Sequence, residues 1–139
     1  MKITADTNLL LRAALGDDAA QQRAALDVLR AAETVAIGAQ SLAEFAWVLQ
    51  RGYRLSRGET AAAIRKLFDL ANVALDRPAV EAGLAMLEAG GDFADGIVAH
   101  QGQWLGGEVF ASFDRKAVEL LRRQGQPAML VEGEGGAAG

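Results

Sequence analysis

The sequence contains no cysteine and a single histidine, His100. The missing cysteines exclude a disulfide framework, a thiolate zinc site and a cysteine nucleophile. The lone histidine excludes ribonuclease chemistry run by a histidine pair, and we expect His100 to be a half-buried helix residue. Serine is scarce as well, and no serine lies near His100 in the sequence, which argues against a serine triad. Carboxylates are the catalytic groups that remain in quantity.

Long apolar runs and a secretory signal are also missing. No segment approaches the ~18 uncharged apolar residues that span a bilayer. The amino terminus reaches Lys2 and Asp6 without the apolar stretch of a signal peptide. We therefore expect a cytoplasmic protein with no membrane association. The length of 139 residues and the content of 51% hydrophobic and 23% charged residues are those of about one folded domain.

Short β-branched runs alternate with longer Ala- and Leu-rich stretches, which is typical of an α/β domain. The apolar residues of the longer stretches recur at three- and four-residue spacing, which predicts helices. The short runs predict strands at residues 2–6, 34–38, 73–75, 108–113 and 128–131. No linker is visible, so we expect one domain over residues 1–131 and a flexible tail over residues 132–139.

Five acidic residues stand where predicted strands end or predicted helices begin. They are Asp6, Glu44, Asp92, Asp95 and Asp114. In a parallel sheet such positions share one edge, where ligands bind. Carboxylates gathered there repel one another and raise their pKa values unless a cation neutralises them. Because oxygen donors without nitrogen or sulfur suit Mg²⁺ or Mn²⁺, the pattern predicts a metal site.

Most of these acids also have a purely structural explanation when taken singly. Ser41 and Glu44 have the spacing of a capping box. Asp92 and Asp114 are suitable helix N-caps. Asp6 ends a strand in an apolar context and has no expected role on a helix surface. The metal-site prediction therefore depends on the set of five acids.

The aromatic residues Trp47 and Trp104 can in principle stack on the bases of a single strand. Both fall on apolar helix faces, which favours packing in the core or in an interface. The apolar side chains near the predicted site exceed what one small core needs and favour a homodimer. These side chains are Leu9, Leu10, Leu11, Phe45 and Trp47.

Four short motifs, taken in order, resemble those of the PIN-domain ribonucleases, and specifically of the VapC-type toxins of type II toxin–antitoxin systems. The motifs are Asp6-Thr7-Asn8, Ser41-x-x-Glu44, Asp92-Phe93-Ala94-Asp95 and Ser112-Phe113-Asp114. The resemblance covers residues 2–131. It implies a three-layer α/β domain with a central, mainly parallel sheet and helices on both sides. It also implies Mg²⁺ or Mn²⁺ dependence, cleavage of RNA to give a 5′-phosphate, a homodimer and a cognate antitoxin protein.

The resemblance also implies roles for individual residues. The catalytic acids that it implies are Asp6, Glu44, Asp95 and Asp114. The metal ligands that it implies are Asp6, Asp95, Asp114 and, as a frequent extra acid, Asp92. Asn8 and Ser112 match accessory polar positions beside the pocket. We expect Asp95 to bind metal directly or through water, and Asp92 to act from the rim of the pocket.

The formal net charge of −4 argues against a nucleic-acid partner. Without the five acids, however, the remaining chain carries +1, so the acidity belongs to the predicted pocket. Basic residues that flank the pocket segments and can meet phosphates are Arg12, Arg51, Arg54, Arg57, Arg115 and Lys116.

Two other functions are alternatives to a nuclease. A phosphatase of the haloacid-dehalogenase type needs a second aspartate two residues after the first, and that position holds Asn8. A non-catalytic RNA-binding or regulatory module with the same fold is expected to have lost one or more of the five acids. All five are present, which favours the nuclease.

Overall fold

The computed structural model describes residues 1–133, and these form two compact units that divide after Arg77. The first unit contains β1 (Lys2–Thr4), α1 (Thr7–Ala14), α2 (Ala19–Ala31), β2 (Thr34–Ala36), α3 (Ala39–Arg51), α4 (Arg57–Phe68) and β3 (Val73–Ala74). The second contains α5 (Arg77–Glu88, which starts at the boundary), α6 (Phe93–Trp104), β4 (Phe110–Ser112), α7 (Arg115–Arg123) and β5 (Ala128–Leu130). All five predicted strands are present, each shorter than predicted.

The strands of the first unit pair in parallel in the order β1-β2-β3. Val35 of β2 lies between Ile3 of β1 and Val73 of β3. Beyond the strand ends, the amide of Ala5 donates to the carbonyl of Ala36 at 2.9 Å. The chain segments of β1 and β2 are therefore still hydrogen-bonded to each other at their carboxyl ends, just before the helices that follow.

The helices of the first unit bury the apolar faces that their spacing predicts. α3 buries Leu42, Phe45 and Leu49, and α1 and α4 bury Leu10 and Ile64. Because these side chains are almost fully inaccessible, they supply the main hydrophobic stabilisation of the unit, about 1.5–3 kcal/mol each.

The second unit pairs β4 and β5 in parallel, with Ala111 opposite Met129. Parallel pairing in both units, on an alternation of strands and helices, confirms the predicted α/β class. A buried cluster joins α5, α6 and α7 and packs against one side chain of each strand. Its buried members are Met86, Ala99, Ala117, Leu120 and Leu121, and its strand members are Phe110 and Ala128.

Two glycines allow α5 and α6 to pack with their backbones in contact. A Cβ at Gly96 would overlap the backbone of Ala82 and of Gly83. A Cβ at Gly83 would lie 2.7 Å from the Phe93 ring. This contact holds the first turn of α6, which carries Asp95, against a rigid neighbour.

The capping box predicted at Ser41 and Glu44 is wrong. α3 begins two residues before Ser41, its N-cap is Gly38, and that cap makes no side-chain hydrogen bond. The capping box that does form is at α4, where Ser56 and Glu59 exchange hydrogen bonds of 3.0 and 2.9 Å with each other's amides. These bonds hold the pKa of Glu59 below its ordinary value.

The single-domain boundary at residue 131 and the flexible tail stay predictions. Glu132 and Gly133 are exposed, and the rest of the predicted tail, residues 134–139, lies outside the described residues. Among the helices of residues 1–133, none has the length and apolar character needed to cross a membrane.

The α5–α6 contact predicts opposite effects for two glycines of the same helix. Gly96→Ala should lower the free energy of unfolding by about 1–3 kcal/mol, because the new methyl group meets backbone that cannot move aside. Gly102→Ala, with open space around its Cβ position, should raise it by up to about 1 kcal/mol through helix propensity. Urea denaturation of both variants measures this difference, and equal effects would contradict the proposed close contact.

Candidate functional site

Two of the predicted acids lie in the first unit and are linked through Thr7. Asp6 is the N-cap of α1, and its Oδ1 accepts the amide of Leu9 at 2.8 Å. The hydroxyl of Thr7 lies 2.9 Å from Oε2 of Glu44 and 3.3 Å from the carbonyl of Ser41. Because the shorter contact is to a carboxylate, Thr7 donates to Glu44 and holds it beside the start of α1.

The other three predicted acids lie in the second unit, at the starts of α6 and α7. Asp92 caps α6, with Oδ1 accepting the amide of Ala94 at 3.2 Å. Asp114 caps α7, with Oδ1 accepting the amide of Ala117 at 3.1 Å. Asp95 stands in the first turn of α6 and is half-buried.

These three carboxylates influence one another electrostatically. Burial, followed by the negative charges of Asp92 and Asp114, raises the pKa of Asp95 to about 6, from an ordinary value of 3.8. No basic group contributes to this shift. The second unit therefore contains a carboxylate whose negative charge is poorly compensated, the condition that a bound cation relieves.

The structure corrects the expectation for Asp6. Asp6 does have a helix role, as the N-cap of α1, because only two residues, Ala5 and Asp6, separate β1 from the helix. Asp92 and Asp114 are N-caps as predicted. The capping bond of each aspartate uses Oδ1, and a carboxylate has further lone pairs on both oxygens. Capping and cation binding are thus compatible in all three.

The accessory residues differ in their surroundings. Asn8 is exposed in the first turn of α1. Ser112 is half-buried, and its Oγ accepts the amide of Asp114 at 2.9 Å, which fixes the turn between β4 and α7. Thr7 is a site residue that the sequence motifs did not predict. Its position between Asp6 and Asn8 was the available signal, but only the packing of α1 on α3 identifies Glu44 as its partner.

The oxygen donors suit a hard cation in kind, but they are not gathered into a finished coordination shell. Within residues 1–133, no three acidic or imidazole side chains lie close enough together to hold an ion as they stand. The oxygen donors of Asp92, Asp95 and Asp114 and the raised pKa of Asp95 fit a hard cation such as Mg²⁺ or Mn²⁺ in chemical kind.

The remaining residues that the sequence singled out are mostly at the surface. His100 is half-buried as predicted, and the indole of Trp104 donates to its Nε2 at 3.2 Å. Core packing of the two tryptophans is wrong, since Trp47 is 61% and Trp104 79% exposed. Of the five apolar side chains that favoured a homodimer, Leu10, Leu11 and Phe45 are buried, Leu9 is half-buried and Trp47 is exposed.

A cavity of about 200 Å³ lies in the second unit. Residues of α6, of β4 and of the segment before β5 line it, including Val98, Glu108 and Pro127. None of the predicted site acids is among the lining residues. The carboxylates of the second unit are therefore not enclosed in this cavity.

Comparison with known protein families gives a match to the PIN domain over residues 3–122. The chain belongs to the PIN domain family. The match includes all five predicted acids and runs through both compact units. PIN domains are usually nucleases, which act as hydrolases on phosphodiester bonds and generally use divalent metal ions. No curated protein matches the chain closely enough to count as a relative.

The raised pKa of Asp95 predicts that neutralising this residue stabilises the metal-free PIN domain by an amount that depends on pH. Between pH 3.8 and about 6 the folded protein binds the Asp95 proton and the unfolded chain does not, so stability falls as the pH rises. Asp95→Asn should therefore raise the free energy of unfolding by on the order of 1 kcal/mol above pH 6, after allowance for solvent screening. The gain should be smaller at pH 4.5.

Urea denaturation in EDTA at pH 4.5 and 7.5 measures this gain. Glu81→Gln, an exposed change on α5, is the matched control and should have the same small effect at both pH values. A gain for Asp95→Asn that does not grow with pH would show that the carboxylate is not strained.

Proposed function

We propose that this PIN domain is a metal-dependent endoribonuclease that works in the cytoplasm as the toxin of a toxin–antitoxin pair. The observation that carries the proposal is the match to the PIN domain over residues 3–122, and the raised pKa of Asp95 beside Asp92 and Asp114 supports it. Ordinary helix caps lower the free energy of the folded protein. A carboxylate kept at a raised pKa without a basic partner destabilises it, which is typical of a functional site.

The residues proposed to hold Mg²⁺ or Mn²⁺ are Asp6, Asp92, Asp95 and Asp114. When bound, the ion supplies a water of lowered pKa and neutralises charge on the phosphate oxygens. Asp95, which is half-buried, is the proposed principal ligand, and Asp92 and Asp114 add negative charge from the helix starts. The motif resemblance described above supports the same set.

Glu44 is proposed as a catalytic carboxylate, the role that the motif resemblance implies, and general-base catalysis is the chemistry that it can supply. Its Oε2 accepts the Thr7 hydroxyl, so the carboxylate is held in one orientation and keeps lone pairs for a second hydrogen bond. A positioned general base contributes typically 10²–10⁴-fold to a rate. Asn8, exposed beside Asp6, is proposed to donate to a phosphate oxygen.

The activity prediction separates Asp95 from Asp92. Asp95→Asn and Asp6→Asn should each lower Mn²⁺-dependent cleavage of RNA by at least ~10²-fold, because they remove groups that position metal and water. Asp92→Asn should lose much less, since asparagine keeps the capping oxygen. Initial rates on mixed cellular RNA, with Mn²⁺ and with EDTA, measure these effects.

Thermal unfolding with and without millimolar Mn²⁺ supplies the control for metal binding. The wild-type Tm should rise with Mn²⁺, because a ligand that binds only the folded state stabilises it. The rise should be absent in Asp95→Asn. Full-rate cleavage in EDTA, or a larger loss for Asp92→Asn than for Asp95→Asn, would overturn the assignment.

The toxin and partner proposals come from the resemblance to VapC-type toxins. Expression of the wild-type chain alone in bacteria should arrest growth, whereas expression of Asp6→Asn should not. Co-expression of the neighbouring reading frame, the proposed antitoxin gene, should restore growth. Unimpaired growth with a wild-type protein that cleaves RNA in vitro would reject the toxin role and keep the nuclease. The proposed homodimer is checked separately by light scattering at micromolar concentration.

A further inference from the structure

The exposed face of α3 continues from Glu44 toward the end of the helix. Gln40, Glu44, Trp47 and Arg51 are all exposed and recur at three- and four-residue spacing, so they form one stripe. The opposite face holds the buried Phe45 and Leu49. The rise along the helix is about 1.5 Å per residue, so Arg51 lies roughly 10 Å beyond Glu44 along the axis.

The end of this stripe is basic in an otherwise acidic chain. From Phe45 to Gly58 the sequence has three arginines and no acidic residue, whereas the whole chain carries −4. Within residues 1–133 the guanidinium groups of Arg51 and Arg54 have no ion-pair partner. Asp17, an acid near this loop, is already 3.5 Å from Arg12 and accepts the Tyr53 hydroxyl at 3.3 Å.

The loop after α3 holds Arg54 in an unusual conformation. Its φ of 55° lies in the left-handed region, which a long side chain rarely adopts. The amide of Leu55 donates to the carbonyl of Leu49 at 2.9 Å and fixes the loop against the end of α3. Two exposed arginines, Arg51 and Arg54, thus stand three residues apart in the sequence where α3 ends.

We propose that Trp47, Arg51 and Arg54 bind single-stranded RNA next to Glu44, with an unpaired base stacked on Trp47 and the following phosphates on the two arginines. Proteins that bind single-stranded nucleic acid combine exposed aromatic side chains with a basic surface. The aromatic ring stacks on a base, and the basic side chains contact the phosphates. We call these three residues the α3 track. The inference rests on the proposed ribonuclease function. It adds the surface on which the RNA strand lies.

The test is binding of a fluorescein-labelled, unstructured 12-nucleotide RNA to the full chain in EDTA, followed by anisotropy. Trp47→Ala should weaken binding roughly 5- to 150-fold, and Trp47→Phe should restore most of the affinity. Arg51→Gln should reduce the slope of log affinity against log salt by about 0.7, the value for one lost phosphate contact on a single strand. A duplex of the same sequence should show no Trp47 dependence.

Two matched controls lie outside the track. Trp104→Ala removes the other exposed tryptophan of a helix, and Arg30→Gln removes an arginine from the last turn of α2. Both should leave RNA affinity within about twofold of wild type, and circular dichroism checks the fold of every variant. Equal weakening by Trp47→Ala and Trp104→Ala, or an unchanged salt slope for Arg51→Gln, would overturn the track.

Other outcomes identify a different occupant or a failure elsewhere. If Trp47→Ala turns a dimer into a monomer in light scattering and leaves RNA affinity unchanged, the surface is an interface between copies and the track is rejected. If Trp47→Ala abolishes only capture of the antitoxin, the occupant is that protein and the track is again rejected. Failure of the nuclease proposal is seen separately, as wild-type protein that binds the RNA through Trp47 and does not cleave it in Mn²⁺.

Discussion

The placement of carboxylates at helix starts is the constraint on which the candidate site depends. Each helix start leaves amides without partners, and Asp6, Asp92 and Asp114 satisfy one such amide each. The helix dipole favours the same negative charge. The fold can therefore tolerate acids at strand ends because three of them also stabilise helices, whereas Glu44 and Asp95 cap no helix.

Asp95 shows where this compensation ends. It lies in the first turn of α6, where the dipole favours an acid, yet burial and two neighbouring acids raise its pKa to about 6. Gly96, next in the chain, is held against the backbone of α5, so this turn cannot move outward to hydrate the carboxylate. The packing that stabilises the second unit thus also maintains the electrostatic strain at Asp95.

Sequence periodicity predicted the strands, the buried helix faces and the Asp92 and Asp114 caps, because each depends on local pattern. The prediction was wrong for Ser41 and Glu44, since a serine three residues before a glutamate is a capping box only where the helix begins at that serine. α3 begins earlier because the chain leaves β2 early, and a shift of three residues in the N-cap, from Ser41 to Gly38, removed the box. The exposure of Trp47 depends on which face of α3 packs against the rest of the unit. The spacing of apolar residues in the sequence does not reveal this.

A proton and the proposed metal ion compete for the same oxygen atoms of Asp95. Protonation relieves the repulsion among the three acids and stabilises the metal-free fold, and cation binding relieves it in the same way. At neutral pH, above the Asp95 pKa of about 6, the proton has left and the full repulsion is available to favour an ion. The stability that the second unit gives up at neutral pH is therefore what the proposed cation would restore, because the same arrangement of carboxylates that raises the pKa of Asp95 would attract a positive ion.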